Sequence, residues 1–389
     1  MKNYQTIIIG LGAMGSAAAY QLAKRGNAVL GIDQLTPPHV LGSTHGETRI
    51  TRQANGEGPA YAPLALRSHE IWRELEARSN VELLTVTGGL IISPADGSNV
   101  VHGKADFIEQ TVQSAEQFDI SHELLSGKEA RKRFPQFNTR DKDQVYFEPG
   151  AGFVRPEKCL QVQLDLAREL GAEIHINEKT LSFYPDGDGV RVITTAGEYY
   201  ADKLIVSAGP WAGELLGEEF GDLLKVYRQA LFWFAVDNPK AFTPSTFPVF
   251  IWDLGDGDDM YGFPSLDNGV SGIKIATEQY VDPTTPETVE RGVTEEEKTE
   301  MYERRIKGRI VGAKNVCLNA LTCLYTVTPD HNFIIDTLPN IPQIIVASPC
   351  SGHGFKHSAA IGEALAELAI DGQSKLDISS FGLKRFARV

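Results

Sequence analysis

The sequence is poor in cysteine, in net positive charge and in long apolar runs, and each shortage removes a class of function. Only four cysteines occur among 389 residues, Cys159, Cys317, Cys323 and Cys350, with neither a C-x-x-C pair nor zinc-ligand spacing. A disulfide scaffold and a metal site are therefore not expected; free thiols in a reducing cytoplasm are. Lys and Arg number 37 against 51 Asp and Glu, a formal charge of −14. That balance argues against nucleic acid as a partner, because phosphate binding needs clustered cations. No apolar run reaches the ~18 residues of a membrane span, so no membrane partner is expected. The opening apolar stretch before Ser16-Ala17-Ala18-Ala19 superficially resembles a secretory leader, but Gly10, Gly12 and Gly15 interrupt it.

What is present fits a globular protein of about two domains, with 42% hydrophobic and 23% charged residues. Thr6-Ile7-Ile8-Ile9 reads as a buried parallel strand, Ser16 to Arg25 as an Ala-rich helix, and Ala28 to Ile32 as a second strand ending at Asp33. This is a βαβ unit of about 30 residues. Residues 34–60 have no usable periodicity, and an ordered loop of that length is usually functional. Helices are expected at about Tyr61–Arg78, Pro156–Leu170 and Thr294–Ile306, and strands return near Asn332–Asp336 and Gln343–Ala347 before a last helix to about Ile370. The expected fold is mixed α/β, with a Rossmann-like dinucleotide domain over 1–82, 152–217 and 325–389. It interleaves with a substrate domain over 83–151 and 218–324, built on a mixed or antiparallel sheet.

Gly10-x-Gly12-x-x-Gly15 occupies the first strand-helix turn, with Asp33 lying 23 residues beyond Gly10. Glycine there permits a tight turn, close backbone approach to a pyrophosphate, and close helix-strand packing. The helix N-terminus offers N–H groups and a positive dipole end to phosphates, and Asp33 can accept from a ribose. The motif alone leaves FAD and NAD open. The remainder favours FAD: an NAD dehydrogenase should continue its strand-helix alternation, whereas here an irregular loop intervenes and the closing strand-helix pair lies near the C-terminus.

Four further stretches carry a family resemblance. They are Gly42-Ser43-Thr44-His45-Gly46-Glu47-Thr48-Arg49-Ile50-Thr51-Arg52 with Gly56-Glu57-Gly58; Tyr261-Gly262-Phe263-Pro264-Ser265; Cys323-Leu324-Tyr325-Thr326 with Phe333-Ile334-Ile335-Asp336; and Ser351-Gly352-His353-Gly354-Phe355-Lys356. In order and spacing they resemble the monomeric sarcosine oxidase and N-methyltryptophan oxidase family over essentially the whole chain. The resemblance implies FAD joined through its 8α-methyl carbon to the thiol of Cys323, with Cys317, six residues earlier, the alternative if the register is misread. It implies that Arg52 and Lys356 clamp a substrate carboxylate, Lys356 also bordering the cofactor. It places Lys274 over the flavin to assist oxygen reduction, His45 and Arg49 beside the cofactor, Gly352 and Gly354 at its binding loop, and Tyr261 and Tyr325 around the substrate. The alternative for Lys274 is an exposed place on the solvent side of an edge strand.

Three positions depart from the sarcosine-type pattern: Asn55 where a tyrosine is usual, Glu278 in place of a histidine, and Cys350 in place of a larger apolar residue. The cofactor machinery is thus matched better than the substrate pocket. The expected activity is a monomeric FAD oxidase of a secondary-amine amino acid, giving an imine and hydrogen peroxide from O2. A cyclic imino acid, a sugar-modified amino acid or a different electron acceptor are the alternatives.

Overall fold

A computed structural model describes residues 3–95, 104–266 and 272–386. Two large sheets organise them. The first has eight strands, and its path runs Thr180–Asp186, Gly189–Thr194, Glu198–Val206, Asn3–Ile9, Val29–Ile32 and Glu173–His175. Ile341–Ser348 joins it in parallel beside Glu198–Val206, and Ile334–Leu338 pairs antiparallel with Ile341–Ser348. The opening strand lies at the centre of the parallel part, Ile7 opposite Leu204 and Ile9 opposite both Val206 and Ile32. Buried on both faces, it carries the continuous β-branched run that such a position requires.

Helices Ala13–Lys24 and Ser358–Asp371 pack so closely that a Cβ on Gly362 would stand 2.3 Å from Cβ of Ala17. The alanines and glycines of both helices therefore set their separation. Pro156–Glu169 and Ala62–Ser79 complete the layer, and the latter buries Leu64, Ile71, Trp72 and Leu75 as its apolar face.

The second sheet has nine strands, eight of them on a path that runs Pro283–Thr284, Lys225–Val236, Gly272–Ala276, Asp258–Phe263, Val249–Gly255, Gly89–Ser93, Gln144–Glu148 and Glu123–Ser126. The fifteen-residue strand Ala313–Val327 pairs antiparallel with Lys225–Val236. A small third sheet joins Arg49–Thr51, Gly152–Val154 and Leu84–Val86. The charged helix of the 294–306 region is α-helical over Glu295–Glu300, opened by a Thr294–Glu297 capping box, and widens to π geometry over Met301–Ile306.

Candidate functional site

A cavity of about 370 Å³ runs along the end of the first sheet. Asp33, Glu178 and Lys179 line one part, Gly10 and Gly12 another, and Arg49, Tyr325, Thr326, Cys350, Gly352 and Gly354 a third. The three motif glycines divide the work. Gly10 (φ +86°) turns the chain, and a Cβ there would lie 2.6 Å from the Ser207 carbonyl oxygen. Gly15 lets the helix sit on the turn, since its Cβ would fall 1.8 Å from the Gly10 carbonyl oxygen. Gly12 is different: a Cβ would meet only Thr44 Oγ1, at 3.6 Å, so this glycine leaves the cavity open at the helix N-terminus. Asp33 is buried, its Oδ2 accepting from Leu11 N–H and its Oδ1 from Leu35 N–H, both at 2.8 Å. Burial pushes its carboxyl up while those two N–H donors oppose the rise.

The residues fit a dinucleotide. The cavity passes a helix N-terminus with a glycine cradle. Among the described residues the buried Thr326 Oγ1 on its wall has no hydrogen-bond partner.

A second cavity of about 60 Å³ adjoins the first, sharing Arg49, Tyr325, Gly352 and Phe355 with it. Arg52, Asp259, Tyr261, Glu278, His353 and Lys356 also line it. Arg52 and Lys356 are both buried and converge on one carboxylate, Glu57. Arg52 Nη2 donates to Glu57 Oε1 at 2.7 Å and Lys356 Nζ to the same oxygen at 3.1 Å. Arg52 Nη1 also donates to the Ala54 carbonyl at 2.7 Å, and Lys356 to that of His353 at 3.0 Å. Burial lowers the Lys356 ammonium to about 8, against the attraction of Glu57. Two cations against one internal anion leave the wall one positive charge in excess, which suits an anionic ligand.

Tyr261 and Tyr325 face each other across this space, hydroxyl to hydroxyl at 3.0 Å. Burial holds both phenols well above their ordinary range, so they act as neutral hydrogen-bonding groups.

His45, Lys274 and Cys323 stand behind the walls. Lys274 belongs to an interior strand, opposite Trp233 on one side and Phe263 on the other, and is 2% exposed. The edge-strand alternative is thereby corrected: five consecutive buried residues, Gly272–Ala276, place this lysine inside the protein. Its Nζ donates to the carbonyls of Gly46 (2.8 Å) and Thr48 (2.7 Å) and lies 3.9 Å from the Phe263 ring centre. Burial, then the nearby Arg49, push the ammonium well below its usual value. Glu157 pins the same loop from its other side, accepting from Gly46 N–H at 2.6 Å and Glu47 N–H at 3.1 Å. His45 is buried in this loop, and desolvation followed by Arg49 and Lys274 lowers it to about 3, which keeps the imidazole neutral.

The two candidate thiols separate cleanly. Arg49 Nη2 donates to Cys323 Sγ at 3.4 Å and to the Ser43 carbonyl at 2.9 Å. Cys323 therefore lies next to two residues of the large cavity's wall. Cys317 instead packs with Phe232 and Phe234 on the far core, its Sγ donating to the Asn319 carbonyl. The two positions share parity, which an unbroken strand would aim at one face. A register shift opposite Trp233 and Phe234 turns Cys317 to the other side.

Sequence reasoning quoted Glu57 within a motif but gave it no role; a carboxylate flanked by two glycines and five residues from Arg52 was the available signal. Glu148 was missed as well. It is buried and accepts from the N–H of Gln53 (2.7 Å) and Ala54 (3.2 Å), fixing the backbone just after Arg52. Asn55 is buried in that bend and lies off both cavity walls, its Nδ2 donating to the Gln53 carbonyl at 2.7 Å.

A family model described as FAD dependent oxidoreductase matches residues 5–368. The chain belongs to that family. This FAD dependent oxidoreductase is 39% identical to monomeric sarcosine oxidase of Streptomyces avermitilis over 387 residues, 99% of this chain and 98% of the relative. It is 34% identical to N-methyl-L-tryptophan oxidase of Yersinia pestis over 99% of this chain and all of the relative. Among solved structures it resembles NikD, described as an unusual amino acid oxidase essential for nikkomycin biosynthesis, with TM-score 0.82 and 23% identity. That alignment covers 98% of each chain. L-Proline dehydrogenase from P. horikoshii gives TM-score 0.83 at 22% identity, covering all of this chain and 98% of the other. The sequence likeness to the two oxidase types agrees with the resemblance drawn from the motifs, and the structural likeness agrees with the fold class.

Proposed function

We propose that this oxidoreductase removes two electrons from the C–N bond of a secondary-amine amino acid, an N-methyl amino acid, and passes them to O2 to give hydrogen peroxide. The observation that carries the reading is the small cavity with its paired cations, opening directly onto the large one. Arg52 and Lys356 bind the substrate carboxylate, Tyr261 and Tyr325 orient the amine, and the aromatic and backbone walls exclude water. Gly10, Gly12 and Asp33 hold the pyrophosphate and ribose of FAD, and Gly352 and Gly354 border its flavin end. Bound there, FAD supplies the electron acceptor for the substrate and the donor for O2. Cys323 forms the covalent link to the flavin, its Sγ held by a 3.4 Å hydrogen bond from the Arg49 guanidinium. Lys274 and Arg49 place positive charge beside the flavin, where reduction of O2 develops negative charge. The likeness to monomeric sarcosine oxidase supports a monomer, and the four free cysteines support a reducing cytoplasm. Among the described residues no helix is long and apolar enough to cross a membrane.

Acid precipitation of the purified protein tests the cofactor assignment, with yellow colour expected in the wild-type pellet and lost from that of Cys323→Ser. A peroxide assay over N-methyl, cyclic and sugar-modified amino acids tests the reaction. Turnover only with an artificial acceptor, and no peroxide, would replace the oxidase reading with a dehydrogenase.

A further inference from the structure

The second cavity has two unlike walls. Arg52 and Lys356 make one positive, while Glu278 and Asp259 bring carboxylates to the same space. Glu278 follows the interior strand Gly272–Ala276, and its backbone N–H donates to Asp259 Oδ1 at 3.3 Å. Its Oε2 accepts from the Tyr280 hydroxyl. Its Oε1 faces Gly352, where a Cβ would stand only 2.9 Å away. Gly352 lines both cavities, so the Glu278 carboxylate stands at their seam.

That position is informative because the carbon to be oxidised must meet the cofactor at the seam, and the substrate nitrogen is bonded to that carbon. An amino acid arrives at neutral pH as a zwitterion, with an anionic and a cationic end. We infer that Glu278 receives the substrate nitrogen as an ammonium and takes its proton, leaving the amine neutral while its carboxylate stays on Arg52 and Lys356. This inference rests on the amino-acid oxidase reading above. In the step, one ammonium N–H bond breaks, an O–H bond forms on Glu278, and the nitrogen keeps the electron pair. No electrons leave the substrate at this stage; the lone pair is what the later loss of hydride requires.

The neighbouring groups are less suited. Tyr261 and Asp259 come from the adjacent strand, Tyr280 lies two residues on, Tyr325 comes from the long strand, His353 and Lys356 border the space from the opposite segment, and Cys350 lines the neighbouring large cavity. Burial holds all three phenols in the protonated form, and Glu278 adds to the effect on each. Lys356 is a donor to Glu57, and His353 Nε2 sits 3.1 Å from the His331 carbonyl. Asp259 Oδ1 already accepts from Thr277 Oγ1 and Glu278 N–H.

The test uses the flavin-loaded enzyme, wild type beside Glu278→Gln and Glu278→Asp. Anaerobic stopped-flow reduction by N-methylglycine gives the dissociation constant and limiting rate against pH. Flavin absorbance gives the dissociation constant of methoxyacetate, a carboxylate of similar shape with ether oxygen in place of the amine. Wild type should bind N-methylglycine at least tenfold more tightly than methoxyacetate. Glu278→Gln should erase that preference, leave methoxyacetate binding within threefold, and move the acid limb of flavin reduction upward by at least one pH unit. Glu278→Asp should restore both. An unchanged acid limb, or equal losses for both ligands, would overturn the assignment. Should the Gln variant fail to fold, equal wild-type affinities for the two ligands would overturn it too. Flavin that stays oxidised with N-methyl amino acids counts instead against the oxidase reading, and the binding comparison still decides on Glu278.

Discussion

Each buried charge around the small cavity is tied to a named partner, and that makes its removal predictable. Lys356 is the clearest case. Burial lowers its ammonium from the usual 10.5 to about 8, so the charged form dominates below that pH and the neutral form above it. The proposed carboxylate clamp therefore has two cations at pH 7 and one at pH 9.5. We expect kcat/KM, which reports the free enzyme, to fall about tenfold across that interval. Lys356→Met should start at the lower value and lose this alkaline limb. Arg52→Met removes a charge-assisted bond of about 1.5–3 kcal/mol. KM should rise roughly 10- to 100-fold, measured at pH 7 under saturating O2. In the proposed reaction Lys274 acts at another step. Lys274→Met should leave anaerobic flavin reduction within threefold while slowing reoxidation by O2 at least tenfold, because its ammonium lies under the loop carrying Arg49 rather than on the substrate wall.

At the scale of elements, the first turn and its helix make a sharper prediction than the glycine motif alone allows. Gly15→Ala drives a Cβ to 1.8 Å from the Gly10 carbonyl oxygen, so the helix Ala13–Lys24 must shift off the sheet. Overpacking of this kind costs about 1–3 kcal/mol, and the cofactor-free protein should melt several degrees lower. Gly12→Ala meets nothing nearer than 3.6 Å and has an ordinary φ of −68°. It should leave the cofactor-free melting temperature unchanged and still abolish FAD binding, because its methyl enters the cavity. Equal behaviour of the two variants in differential scanning fluorimetry would remove this division of labour.

The same elements show what the sequence could reveal. The opening strand, the helix after it and the helix from Ala62 were legible because period and punctuation agreed locally. Lys274 stayed ambiguous, since an apolar alternation around a lysine suits an edge strand as well as an interior one. Only the strands at its two sides, 41 residues away in the case of Trp233 but only 11 for Phe263, decide which it is. Cys323 and Cys317 were inseparable by parity, and a register shift within their own strand, opposite Trp233 and Phe234, tells them apart. The Glu57 bridge needed Lys356, 299 residues away, before it could acquire a role.

Over the whole molecule, the large cavity is assembled from segments far apart in the chain. The opening βαβ unit, the 42–49 loop, residues 178–181 and 207–215, the end of the long strand Ala313–Val327 and the 347–355 loop all reach it. A ligand touching all of them couples their stabilities, because unfolding any one releases it. With a covalent link at Cys323 the effective ligand concentration is fixed, and the melting temperature should not respond to added FAD. In Cys323→Ser the same contacts become a binding equilibrium. Its stability should then rise with free FAD as RT ln(1 + [FAD]/Kd), about 2.7 kcal/mol when FAD exceeds its dissociation constant a hundredfold. Calorimetry across a hundredfold range of FAD should show an upward drift for the variant and a flat line for wild type. A wild-type melting temperature that tracks free FAD would mean a dissociable cofactor. The thiol beside Arg49 would then be a packing residue of the cavity wall, and the clamp of Arg52 and Lys356 would be served by a flavin held through the first sheet alone.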